Sequence, residues 1–228
     1  MSIQVIEVNE SVFAGNDRLA DETRQKLKKE GTFLLNVMAS PGAGKTSVLL
    51  RTIGLLKDRY RMGVMEADID ATVDAEKMQA NGVRSIQVHT GGECAMNADM
   101  TRQALEEFPA EDLDLLFLEN VGNLVCPAEE DVGACRSIEI LSVPEGDDKP
   151  LKYPLMFQVT QAVLINKIDT KEYFPFDDEA VTRRIHALNP EAKVFFVSAK
   201  TGEGFDEWVR WLAGEVDAWK AESGASGR

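Results

Sequence analysis

The chain has 228 residues, enough for one or two domains at about 150 residues each. Hydrophobic residues make up 44 % of it, as in an ordinary globular protein. Asp plus Glu number 39 against 25 Lys plus Arg, a net charge of −14. That excess excludes a general nucleic-acid binder, which carries a basic footprint, and attachment to anionic membrane through basic residues. No run of about 18 apolar residues is present, so no transmembrane helix is predicted. Met1 to Glu7 lacks a basic segment followed by a long apolar one, so no secretory signal is expected. Three cysteines, an odd number, predict no disulfide framework. The expectation is a reduced, cytoplasmic protein whose thiols are buried or bound to metal.

Strand and helix patterns alternate along the chain. A helix is predicted from about Asp17 to Lys29, and a short apolar strand over 33–38 that runs into a Pro/Gly-rich turn. Val48, Leu49, Thr52, Ile53 and Leu56 fall at helical spacing within Lys45 to Leu56. Met62 to Glu66 predicts a strand, 72–80 a helix stopped by Gly82, and Ser85 to Val88 a strand. A helix over 98–107 ends before Pro109, and Leu113 to Leu118 fits a strand buried on both faces. Strands follow at Ser137 to Val143, Ala162 to Ile165 and Val194 to Val197. Helices follow at Asp177 to Leu188, capped by Asp177 or Asp178, and Phe205 to Lys220. This alternation predicts an α/β fold: a mostly parallel sheet with helices on both faces. Residues 31–220 read as one domain, with 1–30 a leading segment and helix packed on it and 221–228 a disordered tail.

Ala39-Ser40-Pro41-Gly42-Ala43-Gly44-Lys45-Thr46 matches the phosphate-loop pattern G-x-x-x-x-G-K-[ST], except that Ala39 holds the first Gly position. An apolar strand precedes it and an amphipathic helix follows. Backbone N–H groups of such a loop point at phosphate oxygens, and the helix N-terminus adds positive potential. Gly42, Ala43, Gly44, Lys45, Thr46 and Ser47 are therefore the expected phosphate cradle. Lys45 neutralises the β and γ phosphates, and Thr46 places its hydroxyl on Mg²⁺. A Gly-rich turn that merely starts a helix is the plainer alternative.

Asn166-Lys167-Ile168-Asp169 follows an apolar strand about 120 residues later and resembles the base-reading N-K-x-D motif of GTPases. A carboxylate at Asp169 accepts two hydrogen bonds from guanine N1–H and its 2-amino group, donors that adenine lacks there. Ser198-Ala199-Lys200, after the last strand, resembles the segment that supports the base from the other side. A polar strand end is the alternative reading. The Mg²⁺-linked acid belongs at the end of a buried strand, where both Asp68 and Glu119 stand. Asp70 and Asp74 follow in the same acidic loop, either positioning water or metal or capping the 72–80 helix. Glu119-Asn120-Val121-Gly122 replaces the commoner D-x-x-G, and no water-orienting Gln follows Gly122. Hydrolysis is therefore expected to be slow or to need another subunit.

Cys94 and Cys126 each follow a strand end, at the same sheet edge as the phosphate loop, where ligands bind in open parallel sheets. They can lie close together despite the intervening chain. Two thiolates do not complete a zinc or square-planar nickel site, but a symmetric dimer would supply four. Two ordinary buried cysteines are the alternative. Cys135 reads as structural, His89 as a further ligand or an ordinary strand residue, and His186 as a surface or packing residue.

Several segments together resemble the HypB family of hydrogenase nickel-insertion GTPases: Ser40 to Thr46, Asp74-Ala75-Glu76, Thr90 to Cys94, Glu119 to Pro127, Glu145 to Pro154 and Asn166 to Asp169. The resemblance covers about residues 15–215. It implies a GTP-dependent homodimer that helps place nickel in [NiFe]-hydrogenase, with a nickel-binding HypA-type partner. It implies Lys45, Asp68 and Glu119 as catalytic residues, Thr46, Asp68 and Glu119 around Mg²⁺, and Asp169 on guanine. It also implies Cys94 and Cys126 as Ni²⁺ or Zn²⁺ thiolates at the dimer interface. The sequence departs from that pattern at Ala95, where the family has His, and near Asp99, where a second His is expected. It also lacks an N-terminal cysteine cluster and a His-rich stretch. Thiolates alone, or Glu93, Asp99 or His89 in place of the imidazole, would then hold the metal. A metal-free GTP-dependent switch or scaffold is the rival reading, and a urease nickel-insertion GTPase fits less well.

Overall fold

The computed structural model describes residues 14–68 and 82–224. The predicted 72–80 helix, with Asp70 and Asp74, lies outside them. Among the described residues seven strands form one sheet: β1 (Phe33–Ala39), β2 (Met62–Asp68), β3 (Arg84–His89), β4 (Leu115–Glu119), β5 (Arg136–Ser142), β6 (Ala162–Asn166) and β7 (Lys193–Phe196), in the order β3-β2-β4-β1-β5-β6-β7. Every pairing is parallel, so the helical crossovers cover both faces and the middle strands lose contact with water. β1, β4 and β6 are buried along their whole length, which is why they read as continuous apolar runs.

The longer helices are α1 (Ala14–Glu30), α2 (Lys45–Leu56), α3 (Ala98–Glu107), α7 (Asp178–Leu188) and α8 (Phe205–Glu222). Asn97 caps α3 by accepting from Met100 N, and Asp177 caps α7 by accepting from Ala180 N. α8 continues to Glu222, into the segment expected to be disordered. Three short helices go unread in the sequence: α4 (Cys126–Glu129), α5 (Lys149–Lys152) and α6 (Pro154–Val159). They are too short to show a helical period, and their mark is Pro at the first or second position. Strand β4 begins at Leu115 rather than Leu113, and just before it Asp114 holds Arg61 and Lys220 with its carboxylate.

The larger apolar core packs Leu27, Val48, Leu49, Ile53, Leu105, Trp208 and Leu212 from α1, α2, α3 and α8 around β1 and β4. A smaller one packs Met156, Phe157, Val181 and Ile185 from α6 and α7 on Leu141, Val163 and Ile165. Truncating one such side chain to Ala costs about 2–5 kcal/mol. β1 has β4 on one side and β5 on the other, so the crossovers diverge from it and open a crevice at its carboxyl end. Among the described residues no helix is long and apolar enough to cross a membrane.

Candidate nucleotide and metal site

The crevice begins where β1 stops. Ala39 is fully buried and bridges to Asn123, so a methyl group fits where the loop pattern has Gly. The chain then turns through residues 40–44, and Val48 N donating to Gly44 O opens α2 with Lys45 and Thr46 in its first turn. That first helical turn is where the phosphates are expected to sit, since helix N-termini attract anions. Ser40 Oγ bonds to Glu145, which also accepts from Ser142 N and Ser142 Oγ, each at 2.8 Å. The segment after β5 thus braces the front of the loop.

The residues predicted to read the base brace its back. Asn166 Nδ2 donates to Ala43 O at 2.9 Å, and Asn166 Oδ1 accepts from Ala199 N at 3.2 Å. Gly44 is needed there: it has φ +104°, and a Cβ would stand 2.6 Å from Asn166 Nδ2. Lys167, at φ 61°, sends Nζ to Gly42 O at 2.6 Å. Asp169 Oδ1 accepts from Ser198 Oγ at 2.6 Å, and Lys200 Nζ lies 3.9 Å from Asp169 Oδ2. A cavity of about 360 Å³ opens here, lined by Gly44, Ser47, Asn166, Lys167, Asp169, Thr170, Ala199 and Lys200. The structure therefore brings the predicted phosphate and base residues to one rim.

Beside the loop, Thr46 Oγ1 donates to Glu119 Oε1 at 3.0 Å, and Glu119 is 3 % exposed. Parallel register places Glu66 of β2 next to Glu119 of β4, with Asp68 two residues further along the same strand face. The Thr46 hydroxyl against the Glu119 carboxylate is a pair of hard oxygen donors, the kind that suits Mg²⁺. Glu66 escapes the sequence reading. Its only signal is a carboxylate inside the apolar run Val64-Met65-Glu66-Ala67.

The expectation that the two thiols lie close together holds, and the expectation of no disulfide needs correction. Cys94 and Cys126 are joined as a disulfide across 32 residues, with their Cα atoms 6.0 Å apart. Each loop leaves the carboxyl edge of a nearby strand, β3 or β4, which brings the two sulfurs within bonding reach. Asn123 Nδ2 lies 3.4 Å from Cys126 Sγ. Among the described residues, no group of three or more His, Cys, Asp and Glu side chains is arranged to hold a metal. Ala95 is buried, Asp99 is engaged by Arg102 and Gln103, and His89 is exposed at the end of β3. Cys135 is structural, as expected. Burial pushes its thiol up to about 12, and its sulfur accepts from Leu34 N at 3.3 Å.

Two polar residues of the interior had no sequence assignment. Asn120 is buried one residue after Glu119. Its Oδ1 accepts from Val121 N at 2.9 Å, and its Nδ2 donates to Asn36 Oδ1 at 3.1 Å. Glu139 is fully buried between Met38 and Val163, and neither carboxylate oxygen has a hydrogen-bond partner. Desolvation, reinforced by nearby Glu145, holds its acid well above the usual carboxylate range, although Lys45 and Lys149 pull it down.

Comparison with known proteins agrees with this geometry. Residues 33–196 match the family model described as CobW/HypB/UreG, nucleotide-binding domain. The hydrogenase maturation factor HypB of Escherichia coli K12 is 42 % identical over 209 residues, covering 92 % of this chain and 72 % of that protein. HypB of Azotobacter chroococcum is 41 % identical over 230 residues, covering 97 % and 75 %. The crystal structure of Helicobacter pylori HypB in complex with nickel superposes with a TM-score of 0.84 at 39 % identity, covering 90 % of this chain and 96 % of that one. The signal recognition particle receptor FtsY of Elizabethkingia anophelis, at 13 % identity and a TM-score of 0.54, shares the fold alone. A glycine-rich loop ahead of a helix, an N-K-x-D rim and a cysteine pair thus occur together on a chain that belongs to the HypB family of hydrogenase maturation factors, P-loop GTPases of the CobW/HypB/UreG class.

Proposed function

We propose that the chain is a nickel-handling GTPase that forms a GTP-dependent homodimer and loads its metal on Cys94 and Cys126. The observation that carries this reading is the continuity of one short segment. It runs from Glu119, bonded to Thr46, through Asn123, bridged to Ala39, to Cys126. In this reading Lys45 and the backbone of Gly42 to Thr46 hold the phosphates, and Asp169 reads guanine. Thr46, Asp68 and Glu119 surround Mg²⁺, which supplies charge neutralisation on the phosphates when bound. A change at the γ-phosphate then moves the segment that ends at the thiol.

Cysteine binds metal as the thiolate, so the disulfide form must be reduced before Cys94 and Cys126 can be loaded. That requirement fits a reducing, cytoplasmic setting. One chain supplies two sulfurs and no imidazole at Ala95, so a second copy is needed to complete a four-thiolate site. A HypA-type nickel donor and a hydrogenase precursor are the expected partners. The test is sedimentation of the reduced protein with Mg²⁺ and GDP, or with a non-hydrolysable GTP analogue, each with and without nickel. A dimer promoted by the analogue and strengthened by nickel supports the reading, because coupling must be reciprocal.

The buried Ala95 favours a second reading, a GTP-dependent scaffold that carries no metal. A dimer that responds to nucleotide and ignores nickel would select it.

A further inference from the structure

The base-reading loop is also held from the phosphate side. Arg51, in the second turn of α2, donates from Nε to Ala199 O at 2.7 Å and from Nη2 to Lys200 O at 3.2 Å. The loop leaves room for that guanidinium at Gly202, where a Cβ would come within 2.6 Å of Arg51 Nη1. Within the loop, Gly202 N donates to Ser198 O at 2.8 Å and Thr201 N to Ser198 Oγ at 3.1 Å. Ser198 Oγ in turn donates to Asp169. A line of hydrogen bonds therefore runs from the helix that begins with Lys45 and Thr46, through Arg51 and the 198–202 loop, to the carboxylate of Asp169.

We infer that Arg51 is a positioning residue for base recognition, setting how strongly the site prefers guanine. The inference rests on the reading that Asp169 binds guanine. Arg51 itself does not touch the base. Its planar fork fixes two successive carbonyls at once, which a lysine ammonium, a single point of charge, does not reproduce. With the loop fixed, Ser198 holds Asp169 in the orientation that accepts both guanine donors. With the loop loose, Asp169 loses that orientation while the phosphate cradle at Gly42 to Thr46 is unchanged.

The test compares GDP with IDP, which lacks the 2-amino group, by competition binding to the full chain in Mg²⁺. Arg51→Gln, Arg51→Lys and Asp169→Asn are measured beside the parent protein, with thermal melting to establish folding. Arg51→Gln should weaken GDP about tenfold and IDP less, narrowing the GDP/IDP preference. Arg51→Lys should lie between it and the parent, and it serves as the probe if the Gln variant does not fold. Equal weakening of GDP and IDP, or no weakening, overturns the inference. Asp169→Asn distinguishes the failures. Loss of guanine preference there beside an unaffected Arg51→Gln overturns only the role of Arg51, whereas retention of it overturns the base-site reading itself.

Discussion

The side-chain carbonyl of Asn120 accepts a hydrogen bond from the backbone N of Met96 at 3.1 Å. Asn120 directly follows Glu119, and Met96 stands two residues after Cys94, so one bond ties the cysteine loop to the strand end beside Thr46. Asn120 N also donates to Val37 O at 3.0 Å, which fixes the same residue to β1. Asn120→Ala should cost about 1–3 kcal/mol through the unpaired partners it leaves. It should also bring the ratio of nickel affinities with and without a GTP analogue close to one. Calorimetric titration in both nucleotide states measures that ratio.

Thr46 and Glu119 hold each other at 3.0 Å and share the proposed Mg²⁺. Thr46→Ala and Glu119→Gln should each raise the Mg²⁺ concentration needed for half-maximal GTP hydrolysis by about 10–100-fold. GDP binding without Mg²⁺ should change little. Steady-state phosphate release against Mg²⁺ concentration checks both.

Asp169→Asn replaces an acceptor pair with one acceptor and one donor. The amide suits xanthine, which carries a carbonyl where guanine has its 2-amino group. The variant should lose guanine nucleotide binding by about 10²-fold or more and gain xanthine nucleotide binding. Competition between GTP and xanthosine triphosphate reads the exchange.

Glu139 is a buried acid whose pKa is raised by burial, and its contribution has a definite sign. Below the ordinary carboxylate value of about 4.3, folded and unfolded chains both carry the proton. As pH rises, the unfolded chain ionises first, so stability is lost progressively until the folded pKa is reached, at a slope of about 1.4 kcal/mol per pH unit. Glu139→Met, apolar and of similar length, should therefore be more stable than the parent, by a margin that widens from about pH 4 toward neutrality. Urea unfolding of both proteins across that range gives the margin.

Much of this architecture is legible in the sequence because it rests on local patterns. Gly42, Gly44, Lys45 and Thr46 must be adjacent to cradle phosphate, and Asn166 to Asp169 must follow a strand, so both motifs stand out. The continuous apolar runs of β4 and β6 mark strands buried on two faces. What remained hidden depends on register and side-chain reach. Glu66 stands beside Glu119 only through the pairing of β2 with β4, and Arg51 meets Ala199 O only through the packing of α2 near the 198–202 loop. No spacing rule joins residues so far apart in the chain. The pairing of Cys94 with Cys126 follows from strand order, in which β2 lies between β3 and β4, rather than from cysteine count.

The central claim is that nucleotide state and the Cys94–Cys126 pair are linked. Nickel titration of the fully reduced protein, with GDP or a non-hydrolysable GTP analogue and Mg²⁺, beside Cys94→Ala and Cys126→Ala, tests it most directly. The account predicts binding that requires both thiols, disappears on oxidation to the disulfide, and changes at least fivefold, about 1 kcal/mol, between the two nucleotides. Nickel binding that ignores either cysteine, or that is the same in both nucleotide states, would contradict it.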